Sequence, residues 1–382
     1  MTRNGVMTVA QLELRQRVRS TRWRIMLLIW ALVLLLVCGG LTLLALPTDE
    51  LLRSATPWLY DIIVCFVMGI GLIVAPTLSS TSINGDRADA TLALLQATAL
   101  RPAEIALGKL MAAWLAALAF LAVALPFLLV LVAGGGVSAR VFLTHLMILL
   151  ITLASVCAIG LGLSALTART SASTVLTYLV VAALVIGTPL AMTILAPAVR
   201  DQQEVTIHSL LSSPDQPGAP EDETEPQCTR SVRIEEIHRV ERVWWLLAPN
   251  PFIILSDVSA RYGDVQPEYS PDIGEEVDYY VYYVYYVDVQ AGYSPDSPLV
   301  AIGEEVDAMR TPEPASRTEA YCTCSECDSV PPEDSRDSSP AHLAFWPASL
   351  LFLALLGTGA ASAATRCLAV PATTLPRGIR LA

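Results

Sequence analysis

The chain has 382 residues, of which 54% are hydrophobic and only 16% charged. That balance excludes an ordinary water-soluble globular protein. The net charge of −12 conceals a split: Val199–His342 holds 29 acidic against nine basic residues, and the remainder is net basic, so the acidic total says nothing about nucleic acid and no such partner is expected.

Residues 1–24 predict a short cytoplasmic interfacial helix. Arg15, Arg19 and Arg22 share one face and Leu14 and Val18 another. Such a helix suits anionic head groups; its basic residues also serve as a plain positive flank. Six apolar blocks of about 20 residues follow, each long enough to cross a hydrocarbon core of roughly 30 Å as helix. They are Ile25–Leu46, Trp58–Leu78, Lys109–Ala133, Val141–Leu166, Thr174–Pro197 and Leu343–Thr365. The first has no small-x-small cleavage site after a short core, so it reads as a retained helix. The second carries Asp61 near one end and Gly69, Gly71 and Pro76 near the other.

Basic residues set the orientation. The N-terminal tail carries six arginines against Glu13. Arg87, Arg101 and Lys109 follow the second block, Arg169 follows the fourth, and Arg366, Arg377 and Arg380 follow the sixth. Both termini and the even-numbered loops are therefore expected in the cytoplasm. The expected fold class is an all-α integral membrane protein with six transmembrane helices and a long, acidic, largely irregular exoplasmic segment. Its divisions are helices one to five over 25–197, a polar cytoplasmic segment at 79–107, the exoplasmic loop 198–342, the sixth helix at 343–365 and a tail at 366–382.

Within the exoplasmic loop, Ser213–Gln227 is Pro- and Glu-rich and reads as disordered. The piece 243–257 is apolar but too short to span, and Pro249 and Pro251 break it. With Trp244, Trp245 and Asn250 it reads as re-entrant or interfacial. Tyr269–Asp278 returns in part at Tyr293–Asp296 and Ile302–Asp307, around the tyrosine run Tyr279–Val287. Two copies cannot stack a core, so this is a local duplication rather than a solenoid.

Catalytic signatures are incomplete. Asp61 and His145 are the ionisable groups inside the blocks. Both lie near an outer end, where water can reach them, and a structural role is expected for each. No second intramembrane aspartate accompanies Asp61 for acid and base roles. Leu166 spoils a G-x-S-x-G elbow at Gly162, and no H-E-x-x-H stands in the chain. Gly108-Lys109 lacks the first glycine of a P-loop, so the chain is not expected to bind ATP itself. Cys322, Cys324 and Cys327, with Cys228, offer enough thiolates for zinc. Their spacing is poor, and an exoplasmic site favours disulfides or free thiols; no metal is expected.

The polar segment holds the strongest signal. Asp86 or Asp89 suits a helix start, and Leu92, Leu95 and Ala99 fall on one helical face. Arg101-Pro102 ends that helix and begins the next. Ser82, Asp86-Arg87, Asp89, Thr91-Leu92, Leu94-Leu95, Thr98, Glu104-Ile105 and Gly108-Lys109 together resemble the signature of the type-2 ABC transporter permeases. Ala90, Ala93 and Ala99 stand where that family carries Gly, Glu and Pro.

The resemblance implies the membrane half of an ATP-driven exporter in a bacterial plasma membrane. It would work as a dimer with a second permease copy or a homologous one. A separate ATPase subunit would supply ATP and Mg, so the chain itself would be no enzyme. The residues implied in coupling are Asp86, Arg87, Asp89, Thr91, Leu92, Leu95, Thr98, Arg101, Glu104 and Lys109. Leu92 and Leu95 would be apolar knobs, and Arg87 with Asp89 the polar rim. The alternatives are a secondary transporter driven by an ion gradient and a membrane-anchored binding or scaffold protein. The first calls for mid-span charges or inverted repeats, which the sequence does not display.

Overall fold

A computed structural model of the chain describes residues 3–45, 49–96, 98, 100–134, 137–211, 227–262, 297–312, 316–318 and 342–369. The tyrosine run, most of the repeat around it, the stretch 213–226, Cys322, Cys324, Cys327 and the tail from residue 370 lie outside those residues. The chain forms two units. The first takes Met1–Thr188, Ala248–Gly303 and Ala344–Ala382; the second takes Pro189–Leu247 and Glu304–Leu343.

Helix α1 (Arg3–Arg19) leads into α2 (Thr21–Ala45) and α3 (Asp49–Ser79). Two short helices, α4 (Asn84–Ala88) and α5 (Thr91–Gln96), precede α6 (Pro102–Ala133) and α7 (Ala139–Leu166). Next come α8 (Thr170–Ala182), a π turn at Ala183–Gly187, and α9 (Thr188–Leu195). Among the described residues six helical stretches are long and apolar enough to cross a membrane. They are α2, α3, α6, α7, the run from α8 through α9, and α12 (Trp346–Leu368). At 32 residues, α6 is about 48 Å long, well beyond a bilayer core of about 30 Å. Its first turns are therefore free to carry Glu104 and Lys109.

The packing is that of a membrane protein. Leu28, Leu36, Val130 and Leu355 are each more than half exposed, which suits lipid rather than water. Inside, small residues let backbones approach. Ala112, Ala113, Ala116, Ala117 and Ala124 of α6 are buried. A Cβ on Gly162 would fall 2.7 Å from the Ala360 carbonyl, and one on Gly357 would fall 2.9 Å from Ser155 Cα. These two glycines bring α7 and α12 together.

The structure corrects the expected exposure of Asp61 and His145, which are each only 1% exposed. The chain after Asn250 folds back over them as α10 (Pro251–Tyr262) and α11 (Pro298–Ala308). Asp61 Oδ2 accepts the Leu299 N–H at 2.9 Å, in the first turn of α11. His145 Nδ1 lies 3.2 Å from Tyr60 Oη, and its Nε2 lies 3.1 Å from the Leu255 carbonyl. Asp257 Oδ2 accepts the N–H groups of Phe345 and Trp346, both at 2.9 Å, where α12 begins. Its other oxygen pairs with Arg261 at 2.8 Å.

The piece 243–257 is divided rather than continuous. A 3-10 turn at Trp244–Leu246 comes first, and α10 starts at Pro251. Proline suits the first helical position, and Asn250 caps the helix by accepting the Phe252 N–H at 3.0 Å. The same side chain donates to the Val185 carbonyl at 3.0 Å and to Thr188 Oγ1 at 3.1 Å. A π turn breaks the regular backbone ladder, and Asn250 satisfies a carbonyl within it.

The second unit departs from the all-α, largely irregular expectation. Strands β1 (Arg200–Leu211) and β2 (Gln227–His238) form an antiparallel hairpin paired from Arg200↔His238 to Leu211↔Gln227. Strand β3 (Ser316–Thr318) adds to β1 in parallel, giving the order β2-β1-β3. Alternation explains the hairpin: Val205 and Ile207 share one face and form a small buried cluster with Ile237. Arg239 and Arg242 both pair with Asp201, and Arg310 stacks 4.6 Å from the Trp244 ring.

Candidate functional site

The polar segment between α3 and α6 is two short helices rather than the single helix that the periodicity suggests. The reason is local. Ala90 has φ of 60°, and a right-handed helix cannot run through a left-handed residue. Ala90 occupies the position where the resembled signature carries glycine, the residue for which this conformation costs least.

α4 is bolted to the C-terminal end of α7. Ser164 Oγ accepts the N–H groups of Ile83 at 3.0 Å and Asn84 at 3.1 Å, and donates to Asn84 Oδ1 at 3.0 Å. Asn84 Nδ2 reaches Thr167 Oγ1 and the Arg169 carbonyl, both at 3.3 Å. Arg87 donates to the Ala165 carbonyl at 3.2 Å. Cations favour the last carbonyls of a helix, where orphan acceptors and the dipole coincide. Arg87 is thus engaged within the chain, rather than standing on a free rim.

Leu92 is corrected in the same way. It is 6% exposed and sits in a cluster with Ile83, Ile105, Ala106, Leu161, Ala165, Ala364 and Leu368. Half-buried Leu95 packs against that cluster. The two leucines hold the segment onto α6, α7 and α12, with Leu92 seated in the chain's own core. Periodicity finds an apolar face but not the core that receives it.

Lys109 is the centre of the site. It is the only lysine in the chain and is 1% exposed. Its ammonium lies 2.5 Å from Glu13 Oε1 of α1 and 2.5 Å from Asp86 Oδ2 of α4. The neighbouring Gly108 explains how α1 comes so close: a Cβ there would lie 2.6 Å from Val9 Cβ. Glu104 is also buried and accepts the Arg101 N–H at 3.1 Å, fixing the start of α6. Arg17 of α1 donates to the Leu78 carbonyl at 2.9 Å, near the end of α3. Burial holds its guanidinium below the ordinary arginine pKa, and Glu13 opposes that shift.

The residues picked from the sequence therefore divide. Asp89, Thr91, Thr98 and Arg101 are exposed, Leu92, Glu104 and Lys109 are buried, and Asp86, Arg87 and Leu95 lie between. Glu13, Asn84 and Ser164 join the site without having been legible as members. Glu13 alone had a signal, as the sole acid among the N-terminal arginines. The exposed residues Asp89–Thr91, Thr98 and Arg101 make up the solvent-facing ledge of the segment.

A family model described as ABC-2 family transporter protein matches residues 7–216, more than half of the chain. The match takes in α1 through β1, with every member of the Lys109 cluster. Comparison with curated protein sequences found no match. The chain belongs to the ABC-2 transporter family, as a multi-pass membrane permease.

Proposed function

We propose that this permease is the membrane half of an ATP-driven exporter in a bacterial plasma membrane. ATP and Mg are bound and turned over by a separate ATPase subunit. That subunit docks from the cytoplasm on the ledge of Asp89, Ala90, Thr91, Thr98 and Arg101. The observation carrying this reading is the two-sidedness of α4 and α5. Leu92 seats α5 in the membrane unit, while Ala88–Thr91, where the two short helices meet, stand in solvent.

In this reading the termini are cytoplasmic, α10 and the acidic segment are exoplasmic, and two permeases form the pathway. Nucleotide does work only if the ATPase pair binds ATP more tightly in one arrangement of the ledges than in the other. His145 is engaged by Tyr60 and the Leu255 carbonyl, and one Asp61 oxygen holds the start of α11, which favours this reading over an ion-driven carrier.

The test is co-purification with a co-expressed ATPase from the same genome. The double variant Asp89→Lys, Arg101→Glu inverts the sign of each of the ledge's two charges, leaves its net charge at zero and substitutes no residue of the buried cluster. It is expected to lose the ATPase while inserting into membranes at the normal level. Retention of the ATPase by that variant would overturn the assignment of the ledge.

A further inference from the structure

The docking surface explains where a push arrives, but not why the chain's only lysine is buried behind it. Lys109 holds two carboxylates that come from elements far apart in sequence. One is on α1 and the other on the segment that bears the ledge. Each acid keeps a partly exposed side chain, 18% for Glu13 and 25% for Asp86, whereas Lys109 has 1%. The cation is thus the buried pin and the acids are the two parts pinned.

We propose that Lys109 is a positioning residue that locks α1 to the ledge, so that α1, α4 and the start of α6 move as one body. Gly108 supplies the close fit, through Val9. Arg17 extends the grip to the end of α3. The lock itself stands on the ion cluster; the force that moves it rests on the permease reading above.

The chemistry makes a distinctive prediction. Removing one acid leaves a complete ion pair. Removing the cation leaves two carboxylates facing each other with nothing between them, which is far worse. Removing all three charges with groups of similar shape abolishes both attraction and repulsion.

The experiment uses the full chain in nanodiscs, its native cysteines replaced by serine, with Val9→Cys as reporter of α1 docking. Maleimide labelling should be slow with Lys109 in place. It should be about tenfold faster in Lys109→Met, and faster by a smaller factor in Glu13→Gln. In the triple variant Glu13→Gln, Asp86→Asn, Lys109→Met it should return toward the starting rate. A Lys109→Met variant that labels no faster overturns the lock, and so does a triple variant as fast as the single one. A second arm places spin labels at Leu12 and at exposed Ala88 of α4, outside the ledge, with the ATPase bound. Their distance should be the same with and without nucleotide in the parent, and should change with nucleotide in Lys109→Met. A nucleotide-dependent distance in the parent overturns the single moving body. An ATPase that never binds, alongside the expected labelling order, would sink the docking of an ATPase on the ledge and leave the lock standing.

Discussion

The helical unit secures its two ends in different ways. Near Asp61 and Asp257, buried carboxylates are spent on backbone: Asp61 holds the start of α11 and Asp257 the start of α12. Around Lys109, acids and cation meet through side chains, and the rest of the joint is one serine, one asparagine and a patch of leucine and alanine. A carboxylate on a helix N-terminus has short reach and fixed direction, so it sets one geometry. A lysine between two acids has a flexible stem and tolerates a shared displacement. The first arrangement suits an end that must keep its shape, the second an end that is pushed.

The comparison breaks most readily at Asp257. In Asp257→Ala, Arg261 loses its buried partner and two N–H groups lose their acceptor. We expect a loss of about 3–5 kcal/mol, read as a large fall in unfolding temperature in detergent. A change within the error of the measurement would show that the end is not held by this carboxylate. Ser164→Ala probes the opposite end at a lower cost. It orphans the N–H groups of Ile83 and Asn84, and about 2 kcal/mol should follow, with faster proteolysis confined to residues 83–101. Global destabilisation without that local cleavage would mean that Ser164 does not hold α4 in place locally. The smallest effect has the opposite sign. Ala90→Gly relieves a left-handed alanine and should stabilise by about 1 kcal/mol; a lower unfolding temperature would contradict the strain assigned to Ala90.

Much of this was legible before any coordinates. Blocks of about 20 apolar residues can do little else than cross a bilayer, so all six spans were readable to within a few residues, apart from the polar first turns of α6 and the early start of α3. The polar segment stood out as the candidate site because Asp86, Arg87, Thr91 and Lys109 interrupt otherwise continuous hydrocarbon. What could not be read were the pairings. Leu92 turns inward because Ile105, Leu161 and Leu368 wait there, and the last two are remote in sequence. Glu13 meets Lys109 across 96 residues. The buried state of Asp61 depends on α11, more than 200 residues away. The hairpin β1–β2 was missed because only Val205 and Ile207 give β1 its alternation, amid charged neighbours that pair across the strands.

The seclusion of the single lysine also fixes how this protein meets amine chemistry. An amine-selective ester finds no other side chain to attack, and finds Lys109 only while Glu13 and Asp86 stand aside. Acylation blocks tryptic cleavage after Lys109, so the uncut, mass-shifted fragment running from Ala88 to Arg140 would count openings of the joint directly, in native membranes and without any substitution. The one residue at which an acylating probe can block trypsin becomes a built-in clock.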